Sequence, residues 1–217
     1  AMTWRRKVLK NIKPSVKEDR EIKSIANKVI KSIKIKDTKL ELGGSSAKGT
    51  WLKGNHDIDI YVKFNPKRYS GMDISKILRA KVKEGVELHG SRDYIQIERQ
   101  GFTIELIPIM DIKKVTNAHN ITDISPFHKK FVLKHKKYQD DIRLAKSFAK
   151  ANHCYGAESY IKGFSGYSLE VLTIHYKGFT KLLKAASQWK SKTVIDTLNL
   201  HGGQVILNKS KMHSPLI

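Results

Sequence analysis

The sequence predicts an α+β chain in which a mixed sheet with flanking helices is followed by a mainly helical second domain. Three observations carry this. Runs of period-two alternation mark strands between residues 39 and 109, while apolar residues at three- and four-residue steps mark helices on either side of them. Beyond residue 125 the alternation gives way to helical spacing with a strong excess of basic residues.

Composition narrows the function classes. The chain has 217 residues, 40% of them apolar, which is ample for a core. A net charge of +22 makes an anionic partner the leading expectation, and nucleic acid fits best because a Lys/Arg surface binds phosphate backbones through counterion release. Of the 42 basic residues 34 are Lys, so part of that charge is ordinary solvated surface. Cys154 is the single cysteine; it excludes an intrachain disulfide and thiolate zinc clusters, and it fits a reducing, cytoplasmic location. No apolar run of about 18 residues is present, so no membrane partner is expected.

Taken in order, residues 4–17 hold Arg5, Arg6, Lys7, Lys10, Lys13 and Lys17 with no acid among them, and Pro14 interrupts any helix there. Ile22, Ile25, Ala26, Val29, Ile30 and Ile33 then form the stripe of an amphipathic helix. Residues 39–42 read as a short strand leading into glycines, a Gly44-Ser45 turn and a short helix. The next strand contains Asp57 and Asp59. Residues i and i+2 of a strand share a face, so Ile58 and Ile60 enter a core while both carboxylates look out together. Asn65-Pro66 ends that strand, and Ile74, Ile77, Leu78 and Val82 have helical spacing. Strand-like runs follow around Val86, at residues 94–97 and at 102–109. In the last of these Phe102, Ile104 and Leu106 alternate with Thr103 and Glu105, which puts Glu105 on the face opposite the core. Residues 115–122, with Asn117, His119 and Asn120, read as an interdomain connection. Ser125 as N-cap and Pro126 in the first turn open a long helical region to about Asn152. Residues 129–150 hold eight Lys/Arg and two Asp, a net of +6. A second helix follows Gly166, a third spans residues 180–189, and residues 204–217 read as the beginning of a strand or strand pair.

Two carboxylates on one strand face repel, and a divalent metal is the usual reason for hard oxygen donors to coexist. Asp57, Asp59 and Glu105 on adjacent strands suit two Mg²⁺ ions about 3.5–4 Å apart. A Gly44-Ser45 turn at a helix start offers backbone N–H groups and a hydroxyl to the outer phosphates of a nucleotide. Together these features describe nucleotidyl transfer from a nucleoside triphosphate to a hydroxyl. Singly they say little, since a Gly-Ser dipeptide is common and a lone Asp-x-Asp is often an exposed strand; the conjunction is specific.

The same residues carry a resemblance. Gly44, Ser45, Ala47, Lys48, Gly49, Thr50, Trp51 and Leu52, followed by Asp57-Ile58-Asp59, resemble the signature of the polymerase-beta-type nucleotidyltransferase superfamily. More narrowly, the chain is similar to archaeal-type, class I CCA-adding enzymes. That similarity continues in order through Ser125-Pro126-Phe127-His128-Lys129, Arg143-Leu144, Lys146, Lys150-Ala151-Asn152, Tyr155-Gly156-Ala157-Glu158, Gly163-Phe164-Ser165-Gly166-Tyr167 and Thr193-Val194-Ile195-Asp196. The resemblance implies a nucleotidyltransferase palm followed by a helical neck-like domain. It implies template-independent addition of CCA to the tRNA 3′ end from CTP and ATP, with two Mg²⁺ ions. It gives catalytic and metal-binding roles to Asp57, Asp59 and Glu105, and nucleotide contacts to Gly44, Ser45, Lys48, Ser125, His128, Lys146 and Tyr155. The chain departs from the family in having Asp57 where Glu is common, Glu105 where some members have Asp, Lys48 where Arg is frequent, and Ile124 where Arg often stands.

The expected division is a palm over residues 1–122, a helical central domain over 123–197 and the start of an incomplete further domain over 198–217. Family members continue beyond a segment resembling Ser214-Pro215-Leu216-Ile217 into domains that hold the tRNA acceptor end. The expectation is therefore the catalytic half of a split or truncated enzyme, with a second polypeptide supplying the C-terminal domains. Two other readings stay open: a poly(A)- or oligoadenylate-type transferase, and a non-catalytic RNA-binding subunit.

Overall fold

A computed structural model describes residues 3–158, 160–190 and 193–197. The chain divides into two compact units. One is formed by residues 14–134; the other joins the N-terminal helix α1 (Trp4–Ile12) to the chain from His135 onward.

The unit of residues 14–134 is built on a five-stranded sheet with strands β1 (Thr38–Leu42), β2 (Asp57–Phe64), β3 (Val86–Leu88), β4 (Tyr94–Arg99) and β5 (Phe102–Met110) in the order β1-β2-β5-β4-β3. The central pair β2 and β5 is parallel and the other pairs are antiparallel, so the sheet is mixed as expected. One face is apolar throughout: Ile58, Ile60, Val62 and Phe64 pack beside Ile104, Leu106, Ile95 and Ile97. Helices α2 (Val16–Ser32) and α5 (Ile74–Lys81) cover it with Ile22, Ile25, Ala26, Val29, Ile74 and Leu78. Ser15 and Glu18 close α2 with a reciprocal capping box, which fixes where the amphipathic stripe starts. Two short helices, α3 (Gly44–Lys48) and α4 (Pro66–Tyr69), follow β1 and β2.

Helix α6 (Ser125–Lys134) completes this unit and differs from expectation at both ends. Ser125 is already helical, because a 3₁₀ turn at Ile121–Ile124 runs directly into α6. The cap is Asn120, which accepts from the Thr122 N–H while Asp123 accepts from the Asn120 N–H. The helix also stops at Lys134 instead of running to Asn152. His135 leaves the helical region, a 3₁₀ turn spans Lys136–Tyr138, and α7 (Gln139–Ala151) begins anew with Asp140 and Asp141 in its first turn, where acids favour a helix start. Residues 115–122 are a connection made of 3₁₀ turns.

The other unit packs α7, α8 (Gly166–His175) and α9 (Phe179–Ala186) around Leu144, Ala145, Leu172, Phe179 and Leu182. Helix α1 joins them through Val8, Leu9 and Ile12. Pro14 therefore ends α1 instead of preventing it, the chain leaving the helix at the residue before the proline. Arg5 clasps Asp141 through two hydrogen bonds of 2.8 Å, and Lys13 reaches Asp140 at 2.9 Å. The strand expected at residues 204–217 and the expected domain start at 198 lie outside the described residues. Among the described residues no helix is long and apolar enough to cross a membrane.

Candidate active site

The parallel register of β2 and β5 sets Asp59 opposite Glu105 and Asp57 opposite Thr103. Cross-strand partners share a face, so all three acids lie on the polar side of the sheet, away from the Ile58–Ile60–Ile104–Leu106 core. Asp57 is exposed, whereas Asp59 and Glu105 are half-buried. The antiparallel register of β4 adds Gln96 to the same row, and its Nε2 donates to Glu105 Oε1 at 3.5 Å. Burial, then the negative charges of Asp59 and Asp57, push Glu105 up to about 7, against the opposing Gln96 hydrogen bond. The Tyr94 hydroxyl is raised by burial, then by the charges of Glu105 and Asp59.

The glycine turn is fitted onto these carboxylates. The Gly43 N–H donates to the Asp59 carbonyl at 2.8 Å, and the Gly44 N–H donates to the Tyr61 hydroxyl at 3.3 Å. Gly44 has φ +56°, in the left-handed region, and a Cβ there would fall 1.5 Å from Asp59 Oδ2. Both the conformation and the space require glycine. Ser46 Oγ donates to the Asp57 carbonyl at 3.3 Å, tying α3 to the strand. Ser45 is half-buried and Lys48 is buried at the end of α3.

Helix α6 packs against α3, and Lys129 anchors it by donating to the Leu42 carbonyl at 2.9 Å. Ser125 and His128, both half-buried, stand on this helix. The approach to α6 is held by a pair that sequence reading missed. Arg92 donates to buried Asp123, which also accepts from the Met110 N–H at 2.9 Å and the Asn120 N–H at 3.1 Å. Burial alone would raise Asp123; Arg92 and the two amides outweigh it and hold the carboxyl below its ordinary range.

Lys146 and Tyr155 belong to the helical unit, and the structure brings them together there. A Cβ at Gly166, the first residue of α8, would lie 2.9 Å from the Tyr155 hydroxyl and 3.8 Å from Lys146 Nζ. Lys146 is not a solvated lysine: its ammonium donates to Glu170 Oε1 at 2.8 Å in a pair that is fully enclosed. Glu170 also escaped the sequence reading, although its place one turn into α8 could have suggested a partner on α7. Lys150 Nζ lies 5.2 Å from the Tyr155 ring centre. The Tyr167 hydroxyl is pushed up to about 12 by burial and then by Glu170.

Among the described residues no three His, Cys, Asp or Glu side chains form a ready-made cage for a metal ion. Mg²⁺ seldom uses such a cage; it takes one or two carboxylates, keeps water and completes its shell with substrate phosphates. Asp57, Asp59 and Glu105 fit that pattern. They are hard oxygen donors on one face, and Glu105, raised by burial and then by its two acidic neighbours, stands where added positive charge is favoured.

Comparison with known proteins agrees with this geometry. The nucleotidyltransferase domain model matches residues 22–139, and the model for the second domain of tRNA nucleotidyltransferases matches residues 140–217. The CCA-adding enzyme of Nanoarchaeum equitans is 46% identical over 185 residues, covering 81% of this chain and 46% of the relative. That of Sulfolobus acidocaldarius is 36% identical over 87% of this chain and 47% of its own length. The chain thus spans about half the length of these relatives. In fold it is similar to the Cid1 RNA terminal uridylyl transferase (TM-score 0.61, 19% identity, 80% of this chain and 51% of that one) and to the Escherichia coli CdnC chain solved with a HORMA protein (TM-score 0.58, 15% identity, 86% and 71%).

Proposed function

The chain belongs to the nucleotidyltransferase family, in the branch of the archaeal CCA-adding enzymes, and from that membership we propose that it adds C, C and A to the 3′ end of tRNA from CTP and ATP without a template. The observation that carries the reading is the pairing of Asp59 with Glu105 across the two central parallel strands, with Asp57 on the same face and Gly44 closed onto Asp59.

In this reading the tRNA 3′ hydroxyl attacks the α-phosphate of the nucleotide, and pyrophosphate leaves. Asp57, Asp59 and Glu105 would hold divalent cations, which when bound would lower the pKa of the attacking hydroxyl and offset charge on the leaving oxygen. Burial and the neighbouring acids raise Glu105 to about 7, so cationic charge at this face would favour its ionised form. Gly44, Ser45 and Lys48 steer the triphosphate, and Ser125 and His128 contact the nucleotide from α6. The family pattern extends nucleotide contact to Lys146 and Tyr155 of the helical unit. The acceptor end of tRNA is the partner.

The test is incorporation of labelled nucleotides into tRNA lacking its terminus, with each triphosphate offered singly and then together, in the presence of Mg²⁺. Ordered C, C, A addition by the wild type, abolished in Asp59→Ala with tRNA binding intact, is the expected result. Retained activity in Asp59→Ala overturns the assignment of the acids. Unordered runs of A on any RNA point to a poly(A)- or oligoadenylate-type transferase, and no metal-dependent turnover with any triphosphate points to a non-catalytic RNA-binding subunit.

A further inference from the structure

The polar face of the sheet carries a concavity at the opposite ends of the same strands. The acids stand at the start of β2 and in the middle of β5, whereas this groove, of about 770 Å³, opens where β2 and β5 finish, at Lys63–Asn65 and Met110–Ile112. Asn65 stands six residues beyond Asp59, roughly 20 Å at about 3.3 Å per residue. The groove shares no residue with the acid set or with the glycine turn.

Its charge is unbalanced in one direction. Both acids in the lining are already matched, Asp111 by Lys63 at 3.0 Å and Asp37 by Arg68 at 3.4 Å. Lys39 from β1, Lys67 from α4 and Lys113 from beyond β5 are exposed and have no acidic partner among the described residues. Three segments far apart in sequence therefore bring three uncompensated ammonium groups to one concave surface, where they repel one another and concentrate positive potential. Ser70, Thr116, Asn117 and His119 add polar groups along the rim. The lining has no Phe, Tyr or Trp on which a base could stack. A site with point-like cations and no stacking platform recognises phosphates and ignores bases.

We propose that this groove binds the phosphodiester backbone of an RNA, as a sequence-independent anchor remote from the catalytic acids. Taking that RNA to be the acceptor substrate rests on the function proposed above, but binding itself does not depend on turnover. The test compares the full chain with a Lys39→Ala/Lys67→Ala/Lys113→Ala variant and with a control that removes the same charge elsewhere, Lys28→Ala/Lys31→Ala/Lys34→Ala. Affinity for tRNA is followed by fluorescence anisotropy across 50 to 200 mM salt. The groove variant should lower the slope of log affinity against log salt by roughly 2 to 3, because each phosphate contact contributes about 0.7–0.9. The control should leave the slope nearly unchanged. Equal losses in the two variants overturn the proposal, since the groove would then be only part of a diffuse positive surface. If the groove variant instead loses binding of labelled ATP and keeps tRNA, the ligand is a free nucleotide and the backbone assignment falls. A matching Lys→Gln triple tests the same charge loss should the alanine variant fail to fold. Failure of the wild type to incorporate any nucleotide would count against the proposed function alone, because anisotropy is measured without triphosphate.

Discussion

A methyl group at position 44 would overlap the Asp59 carboxylate, and the backbone there already occupies a region unfavourable to side chains by about 1–2 kcal/mol. Gly44→Ala should therefore lower stability by about that amount while removing CMP incorporation altogether, a disproportion that thermal melting and a turnover assay would reveal together. Glu105 allows a pH argument. Its carboxyl is raised to about 7 in the folded protein, so its favourable contribution is complete below the ordinary carboxylate range and is lost as pH rises through 7. Glu105→Gln removes that loss, and in metal-free buffer it should gain about 1–2 kcal/mol relative to wild type at pH 8 over its difference at pH 4, after discounting for solvent screening. Urea unfolding at the two pH values measures it, and a pH-independent difference would contradict the cause assigned here. Asp57, Asp59 and Glu105 were legible in sequence because strand alternation alone decides which face a residue takes. Gln96, Tyr94, Tyr61, Arg92, Asp123 and Glu170 were not, because their roles depend on cross-strand register or on helix contacts between residues far apart in the chain.

At the scale of elements, the helices with a clear apolar stripe, α2 and α5, were readable from local periodicity, whereas α1 was not. Its sequence has no acid and only a narrow apolar seam; what holds it is nonlocal, the packing of Val8, Leu9 and Ile12 in the helical unit and the Arg5–Asp141 clasp. Burial tends to raise Asp141, but hydrogen bonds from Arg5 and from the Phe179 N–H prevail and keep it below its ordinary range. A depressed acid contributes stability above its unfolded pKa and forfeits it as pH falls through the folded value. Arg5→Ala should therefore cost about 1 kcal/mol near neutrality, partial exposure of the guanidinium limiting the effect, and the difference from wild type should shrink steadily below pH 4. The break between α6 and α7 escaped the sequence for a related reason. Both sides have acceptable helical spacing, and the interruption at His135 is a matter of where each helix packs.

The whole molecule joins two units with separate cores, and the connectivity between them has a consequence for how the chain unfolds. The unit of residues 14–134 contains the entire sheet, both helices that cover its apolar face and the α6 helix tied to β1 and β5 by Lys129 and the Arg92–Asp123 pair. Nothing in that core comes from α1 or α7–α9, so a fragment of residues 14–134 should fold by itself and unfold in one cooperative transition. The helical unit is different, because its N-terminal helix is separated in sequence from its partners by the whole of the other unit. Deleting residues 1–13 from the full chain should therefore raise amide exchange throughout α7, α8 and α9 while leaving β2 and β5 as protected as in the wild type. Faster exchange in β2 and β5 in that deletion would mean that the two cores are energetically one, and the division read from their contacts would then not describe how the protein opens.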